Sequence, residues 1–310
     1  MTRWTSADIP HQTGRIVLVT GANSGLGLRT AEALAAKGAS VLMGCRDATR
    51  GEAARSEVAA GATGPSPEVV PLDLADLGSV RDAAQSVADT VEGLDLLVNN
   101  AGVMAMPLRH TADGFELQFG TNHLGHYALT GLLLPALRRA DGPRVVTVSS
   151  NLHRMGRNDW SDPNWERRRY LRWPAYGQSK LANLLFTREL ARRAHEAGSS
   201  LVAVAAHPGN SATHLLATST DASGYRLVGQ VMNWGNRLIA QPDSAGALPQ
   251  LYAATMPDVI PGEYFGPDGL FQLRGHPTRV GSSPAARDDE AARRLWQLSE
   301  ELTGVKYAFD

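Results

Sequence analysis

The chain has 310 residues, with 30 Lys+Arg against 31 Asp+Glu, a formal net charge of -1 and 43% hydrophobic residues. This composition excludes a disordered chain and argues against a nucleic-acid binder, which carries a basic excess or stripe. The single cysteine, Cys45, rules out an internal disulfide. It fits a reducing compartment, and with no signal-like or membrane-length apolar stretch the expectation is a cytoplasmic protein without a transmembrane segment.

In chain order, residues 16–20 (IVLVT) form a short, β-branched run bounded by glycines, which reads as a buried parallel strand. Residues 25–37 follow with helical spacing and stop at Gly38, a helix C-terminus signal. A strand at 40–44 and a helix at 47–60 repeat the unit. Segments 69–72, 79–90, 94–98, 115–138 and 145–148 continue the alternation. Residues 151–174, rich in Trp, Arg, Asn, Asp and Pro, interrupt it. A strong helix at 176–197, a strand at 201–205, a late strand near 263–265 and a last helix at 288–302 complete the pattern, with an irregular flap at 207–242. Alternating β and α segments predict one doubly wound α/β domain over 1–310, a parallel sheet of about seven strands with helices on both faces.

The first strand runs straight into Thr20-Gly21-Ala22-Asn23-Ser24-Gly25-Leu26-Gly27 and a helix start. Gly21 permits the sharp turn, Gly25 a close approach of backbone to a pyrophosphate, and Gly27 close packing of helix on strand. The helix N-terminus offers free N–H groups and a positive dipole end to phosphates, which makes Asn23, Ser24 and Leu26 cofactor contacts as well. The second strand ends in Cys45-Arg46-Asp47. Arg46 suits a 2′-phosphate by charge and by its planar fork of donors, so NADP(H) is favoured. The alternative leaves Arg46 solvated and Asp47 as a helix cap, with NAD(H) as cofactor. Asp73-Leu74, after the third strand, falls beside the adenine by topology.

Further motifs occur in order: Asn99-Asn100-Ala101-Gly102, Asn122, Ser149-Ser150, Tyr176-Gly177-Gln178-Ser179-Lys180 and His207-Pro208-Gly209. With the glycine loop they resemble the short-chain dehydrogenase/reductase family, and their wording most resembles its retinol-dehydrogenase-like branch. The resemblance implies a Rossmann-type domain and NAD(P)(H)-dependent interconversion of an alcohol and a carbonyl. It implies cofactor contacts at Asn99, Ala101, Gly102, Tyr176, Lys180, Pro208, Gly209 and Thr213. Tyr176 and Lys180 are spaced i, i+4 and share a helix face, where an ammonium favours phenolate. In the family's scheme Tyr176 exchanges a proton with the substrate oxygen, and Lys180 lowers the tyrosine pKa and holds the nicotinamide ribose. Ser150, the second of its pair, orients the substrate oxygen, and Asn122 holds a relay water. The insertion 151–174 and the flap would lie near the substrate site. There, Trp160, Trp165 and Trp173 either face a bulky apolar ligand or pack the loop. The oligomeric state stays open between a monomer and a homo-oligomer.

Only three of the 30 basic residues are lysines: Lys37, Lys180 and Lys306. Lys180 is the one the chemistry asks for, since a compact ammonium is not interchangeable with guanidinium. His123 and His126 at i, i+3 lack a third ligand with metal spacing, so no metal is expected. The run Glu166–Arg169 reads as a solvated loop, with an anionic substrate group as the minority reading. A nucleotide-sensing protein without catalysis is the rival from another class; it would be expected to lack Tyr176 or Lys180.

Overall fold

The computed structural model describes residues 3–209 and 242–309. Eight strands form one sheet: β1 Ile16–Thr20, β2 Ser40–Cys45, β3 Glu68–Pro71, β4 Leu96–Asn99, β5 Arg144–Val148, β6 Val202–Ala206, β7 Tyr264–Pro267 and β8 Pro277–Arg279. Their order across the sheet is β3-β2-β1-β4-β5-β6-β7-β8. Every pairing from β3 to β7 is parallel, and β8 joins β7 antiparallel. The order reverses between β1 and β4, where a doubly wound sheet opens a crevice at the carboxyl ends of its strands.

Successive residues of one strand feed two cores. Leu18, Leu97 and Val145 pack on one face, with α3 Leu77–Thr90, α4 Gly125–Leu132 and α5 Arg172–Glu196. Val17, Val19, Val98 and Val146 pack on the other, with α1 Gly25–Ala35 and α2 Ala48–Gly61. Strands buried on both faces read as continuous apolar runs, as these do. A last helix, α6 Asp289–Thr303, lies against α5. Between them, Tyr127, Phe186, Trp296 and Tyr307 form an aromatic cluster, with Trp296 and Tyr307 centroids 4.5 Å apart.

One expectation needs correction and one is extended. The helix expected at 115–138 is broken into short pieces, and a π turn spans Gly120–Leu124 just before α4. The sheet also has an eighth strand, a three-residue edge piece. Among the described residues, no helix is long and apolar enough to cross a membrane.

Candidate active site

Gly21 and Gly25 adopt φ of 67° and 55°, a region that L side chains rarely occupy. Gly27 sits where an added Cβ would lie 2.3 Å from the Gly21 carbonyl oxygen and 2.6 Å from Asn100 Nδ2. These glycines open a cleft of about 610 Å³, lined also by Asn23, Ser24, Leu26, Arg46, Asp73, Leu74, Ala101 and Gly102. A glycine cradle over a helix N-terminus, with two arginines at the far end, fits the phosphates and adenosine of a dinucleotide. The second of those arginines, Arg50, was not singled out from sequence. Asp47 caps α2, accepting the Arg50 N–H, while Asp47 and Arg46 both also line the cleft.

Asn99 is not brought to the cleft. Its side chain is fully buried and donates to Thr130 Oγ1, and Asn100 takes the lining position instead. Pro208 and Gly209 directly follow β6 and are not among the residues lining the cleft; Gly209, at φ 69°, lies against the Leu273 carbonyl. Thr213 and most of the flap lie outside the described residues.

The Thr20 hydroxyl ties the floor of the cleft together. It accepts the N–H groups of Asn100 and Ala101, each at 2.9 Å, and donates to His126 Nε2 at 2.9 Å. The other His126 nitrogen, Nδ1, donates to the Asn122 carbonyl at 3.0 Å. Burial draws the His126 imidazole down to about 4, so the ring is neutral. His123 is likewise engaged, with Ser299 Oγ 2.8 Å from its Nε2.

Gly102 links the cleft to Asn122 and Lys180: an added Cβ there would meet Asn122 Oδ1 at 3.0 Å and Lys180 Nζ at 3.4 Å. The Asn122 side chain is spent on neighbours. Its Oδ1 accepts the Val103 N–H, and its Nδ2 donates to Val103 O and Ser179 Oγ. Tyr176 and Lys180 share one face of α5, as their spacing predicts, and both are buried. Lys180 Nζ donates to the Val148 carbonyl at 3.0 Å and lies 5.8 Å from the Tyr176 ring centroid. Ser149 donates to the Lys180 carbonyl and is structural. Ser150 caps the following 3-10 turn, its Oγ accepting the Leu152 N–H at 3.2 Å.

Burial pushes the Tyr176 phenol up to about 12, opposed by its hydrogen bond with Ser150. Desolvation is the larger of the two effects, and Lys180 adds no lowering of its own. Burial also draws Lys180 down to about 8. At neutral pH the pair is thus a neutral phenol beside an ammonium, a form in which the phenol still carries a proton to give.

The insertion folds on itself. Asp162 accepts the N–H groups of Glu166 and Arg167. The Arg168 guanidinium lies 3.8 Å over the Trp165 ring and donates to Asp162 O and Gln178 Oε1. This internal use removes Arg168 from the minority reading of an anion-binding run. Trp160 stacks on Phe119, so two of the three tryptophans pack the loop. Trp173 stays half-buried in the first turn of α5, three residues before Tyr176. Tyr170 anchors the far end of the insertion, its hydroxyl 2.9 Å from buried Glu116 and 3.0 Å from Met106 O.

A glycine-lined nucleotide cleft at the sheet's switch point, opening onto a buried tyrosine and lysine, defines an NAD(P)-linked oxidoreductase. The family model for short chain dehydrogenase matches residues 15–224, and the chain belongs to that family, in its retinol-dehydrogenase-like branch. It is 39% identical to Retinol dehydrogenase 13 of Homo sapiens over 97% of this chain and 87% of that protein. It is 40% identical to Retinol dehydrogenase 12 of Mus musculus over 98% of this chain and 90% of that one. A crystal structure of an uncharacterised protein from Mycobacterium paratuberculosis is similar with a TM-score of 0.81 and 48% identity, covering 99% of this chain and 100% of that one. The protein is an oxidoreductase acting on CH-OH and C=O groups.

Proposed function

We propose that the protein is an NADP(H)-dependent enzyme interconverting an alcohol and a carbonyl, with Tyr176 as the acid/base. The observation that carries this reading is the position of Gly102, which lines the nucleotide cleft and abuts both Asn122 and Lys180. The reacting end of a dinucleotide in the cleft would therefore meet the buried tyrosine–lysine pair. Arg46 and Arg50 at the opposite end favour a 2′-phosphate over a bare ribose. The cap that Asp47 places on α2 and the exposure of Arg46 are what the NAD(H) alternative expects; what favours NADP(H) is that Arg46 lines the cleft beside Arg50.

When bound, the dinucleotide supplies or accepts the hydride at its nicotinamide ring. In reduction, Tyr176 gives its phenolic proton to the substrate oxygen as the carbonyl carbon gains that hydride. The Ser150 hydroxyl donates a hydrogen bond to the same oxygen and holds it in line. Lys180 holds the nicotinamide ribose and stabilises the phenolate left behind. Asn122 keeps the relay from Lys180 open through its main-chain carbonyl, since its side chain is engaged elsewhere. The substrate is a small-molecule carbonyl or alcohol, bulky and apolar enough to meet Trp173 and the insertion, whose place beside the mouth belongs to this reading. A cytoplasmic location is part of it too, supported by the single buried cysteine.

The test is NADPH consumption against a broad carbonyl panel. Tyr176→Phe should abolish turnover and leave NADPH binding intact; retained turnover would remove the acid/base role. Arg46→Asp should move the kcat/KM ratio toward NAD(H) by roughly tenfold to a hundredfold, the worth of one charged hydrogen bond. Tight NADPH binding without reduction of any carbonyl would favour a nucleotide sensor.

A further inference from the structure

Ser150 is held at both ends of the residue. Its Oγ accepts the Leu152 N–H, and its carbonyl accepts two donors, the His153 N–H at 3.0 Å and the His153 ring Nδ1 at 2.7 Å. A carbonyl only accepts, so Nδ1 carries the proton. The remaining ring nitrogen, Nε2, accepts the N–H of Ser283 at 3.1 Å, 130 residues further along the chain. Those two bonds fix one neutral tautomer, and both ring nitrogens are consumed by backbone. His153 has no exposed surface. Tyr264 meets it edge-on, with centroids 5.8 Å apart at 84°, which limits ring rotation. Such a ring has no free nitrogen for proton transfer or for a metal. Ser283 is itself rigid, since its Oγ accepts the Ala286 N–H and caps the turn Pro284–Arg287.

We infer that His153 is a positioning residue, which pins the Ser150 peptide to the segment around Ser283 and so sets where the Ser150 hydroxyl points. This rests on the reading that Ser150 contacts the substrate oxygen. The main-chain bond from the His153 N–H moves with its own turn. The ring bond is different in kind, because it refers Ser150 to a separate part of the fold. The Oγ of Ser150 spends an acceptor site on Leu152, so its direction follows the peptide that carries it. A loose peptide would spread the hydroxyl over several directions and lose alignment with Tyr176, at a cost in rate more than in binding.

Two isosteric variants separate the bonds. His153→Asn keeps a donor at the Nδ1 position and cannot reach Ser283. His153→Gln keeps an acceptor at the Nε2 position and lacks the bond to Ser150. Steady-state kinetics on the best accepted carbonyl, NADPH affinity by fluorescence and thermal unfolding are measured together. His153→Ala should lower kcat roughly tenfold, the worth of one buried hydrogen bond, with KM and NADPH Kd within about twofold. His153→Asn should recover most of that loss, and His153→Gln should not. Wild-type kcat in His153→Ala overturns the assignment. So does equal recovery, or equal failure, of Asn and Gln, which would mark a packing role; this comparison still decides if the alanine variant fails to fold. Ser150→Ala distinguishes the two readings. If it leaves kcat unchanged, the role of Ser150 fails and that of His153 with it. A loss in Ser150→Ala beside unchanged His153→Ala overturns His153 alone.

Discussion

Replacing Thr20 with valine keeps the shape of the side chain and deletes one hydroxyl from the floor of the nucleotide cleft. That hydroxyl serves the Asn100 N–H, the Ala101 N–H and His126 Nε2. The Asn100 N–H retains the Val98 carbonyl at 2.9 Å, so it is not orphaned. Among the described residues the Ala101 N–H and His126 Nε2 have no other partner, and Thr20 is fully buried. Each buried group left unpaired costs about 1–3 kcal/mol, so the two orphaned groups of Thr20→Val should destabilise the protein by about 2–6 kcal/mol. No cavity forms, because the methyl occupies the volume of the hydroxyl. Thr20→Ser keeps the hydroxyl and should lose less than half as much. The assay is denaturant unfolding, read as a fall in midpoint at constant slope, with a parallel NADPH titration. Affinity should weaken in Thr20→Val, since Asn100 and Ala101 line the cleft. A stability change under about 0.5 kcal/mol would refute this account of the network, because two orphaned buried groups cannot be that cheap.

Gly102→Ala should weaken NADPH binding about tenfold with little change in unfolding midpoint, since its Cβ would press Asn122 Oδ1 at 3.0 Å while Val103 and Ser179 hold that side chain in place; unchanged affinity in a titration would contradict the tight contact. Arg168→Ala removes the cation over Trp165 and two hydrogen bonds, and should speed tryptic cleavage at exposed Arg167 and Arg169 by about tenfold or more, followed by gel or mass spectrometry. Lys180 gives a pH signature. Burial lowers its folded pKa from 10.5 to about 8, so between those values the unfolded chain binds a proton the folded chain does not. Stability of the wild type relative to Lys180→Met should therefore rise as pH climbs from about 8 toward 10.5, and unfolding curves at several pH values that run parallel would argue against a buried amine.

The parallel sheet was readable because its strands are buried on both faces and alternate with amphipathic helices. Strand β8 was not, since Pro277-Thr278-Arg279 is short, polar and antiparallel at an edge, with no pattern to detect. The π turn at Gly120–Leu124 left no trace either. It inserts one residue into a helix buried on nearly every side, polar Gln118, His126 and Thr130 included, so no shift of phase is visible. The glycine loop and the Tyr176–Lys180 spacing were legible because local geometry demands them. Arg50 could have been found from its place one helical turn past Arg46, at the start of a helix beside the cleft. His126 and His153 could not, because what makes them matter are partners at Thr20 and Ser283, more than a hundred residues away. The basic run at 167–169 reads as a solvated loop, as exposed Arg167 and Arg169 agree, but composition does not reveal that the Arg168 guanidinium stacks on Trp165.

The aromatic cluster of Tyr127, Phe186, Trp296 and Tyr307 bears on how the chain is made. Tyr127 and Phe186 sit on the helices that carry the active site, and their covers come from α6 and the residues after it. During synthesis these helices emerge early, with large apolar rings uncovered until residue 307 has left the ribosome. At about 5–20 residues per second that interval spans several seconds, long enough for a chaperone or a neighbouring nascent chain to engage the bare face. The helices beside the nucleotide cleft are thus finished by a segment made far later, whose Ser299 also reaches His123, the neighbour of Asn122.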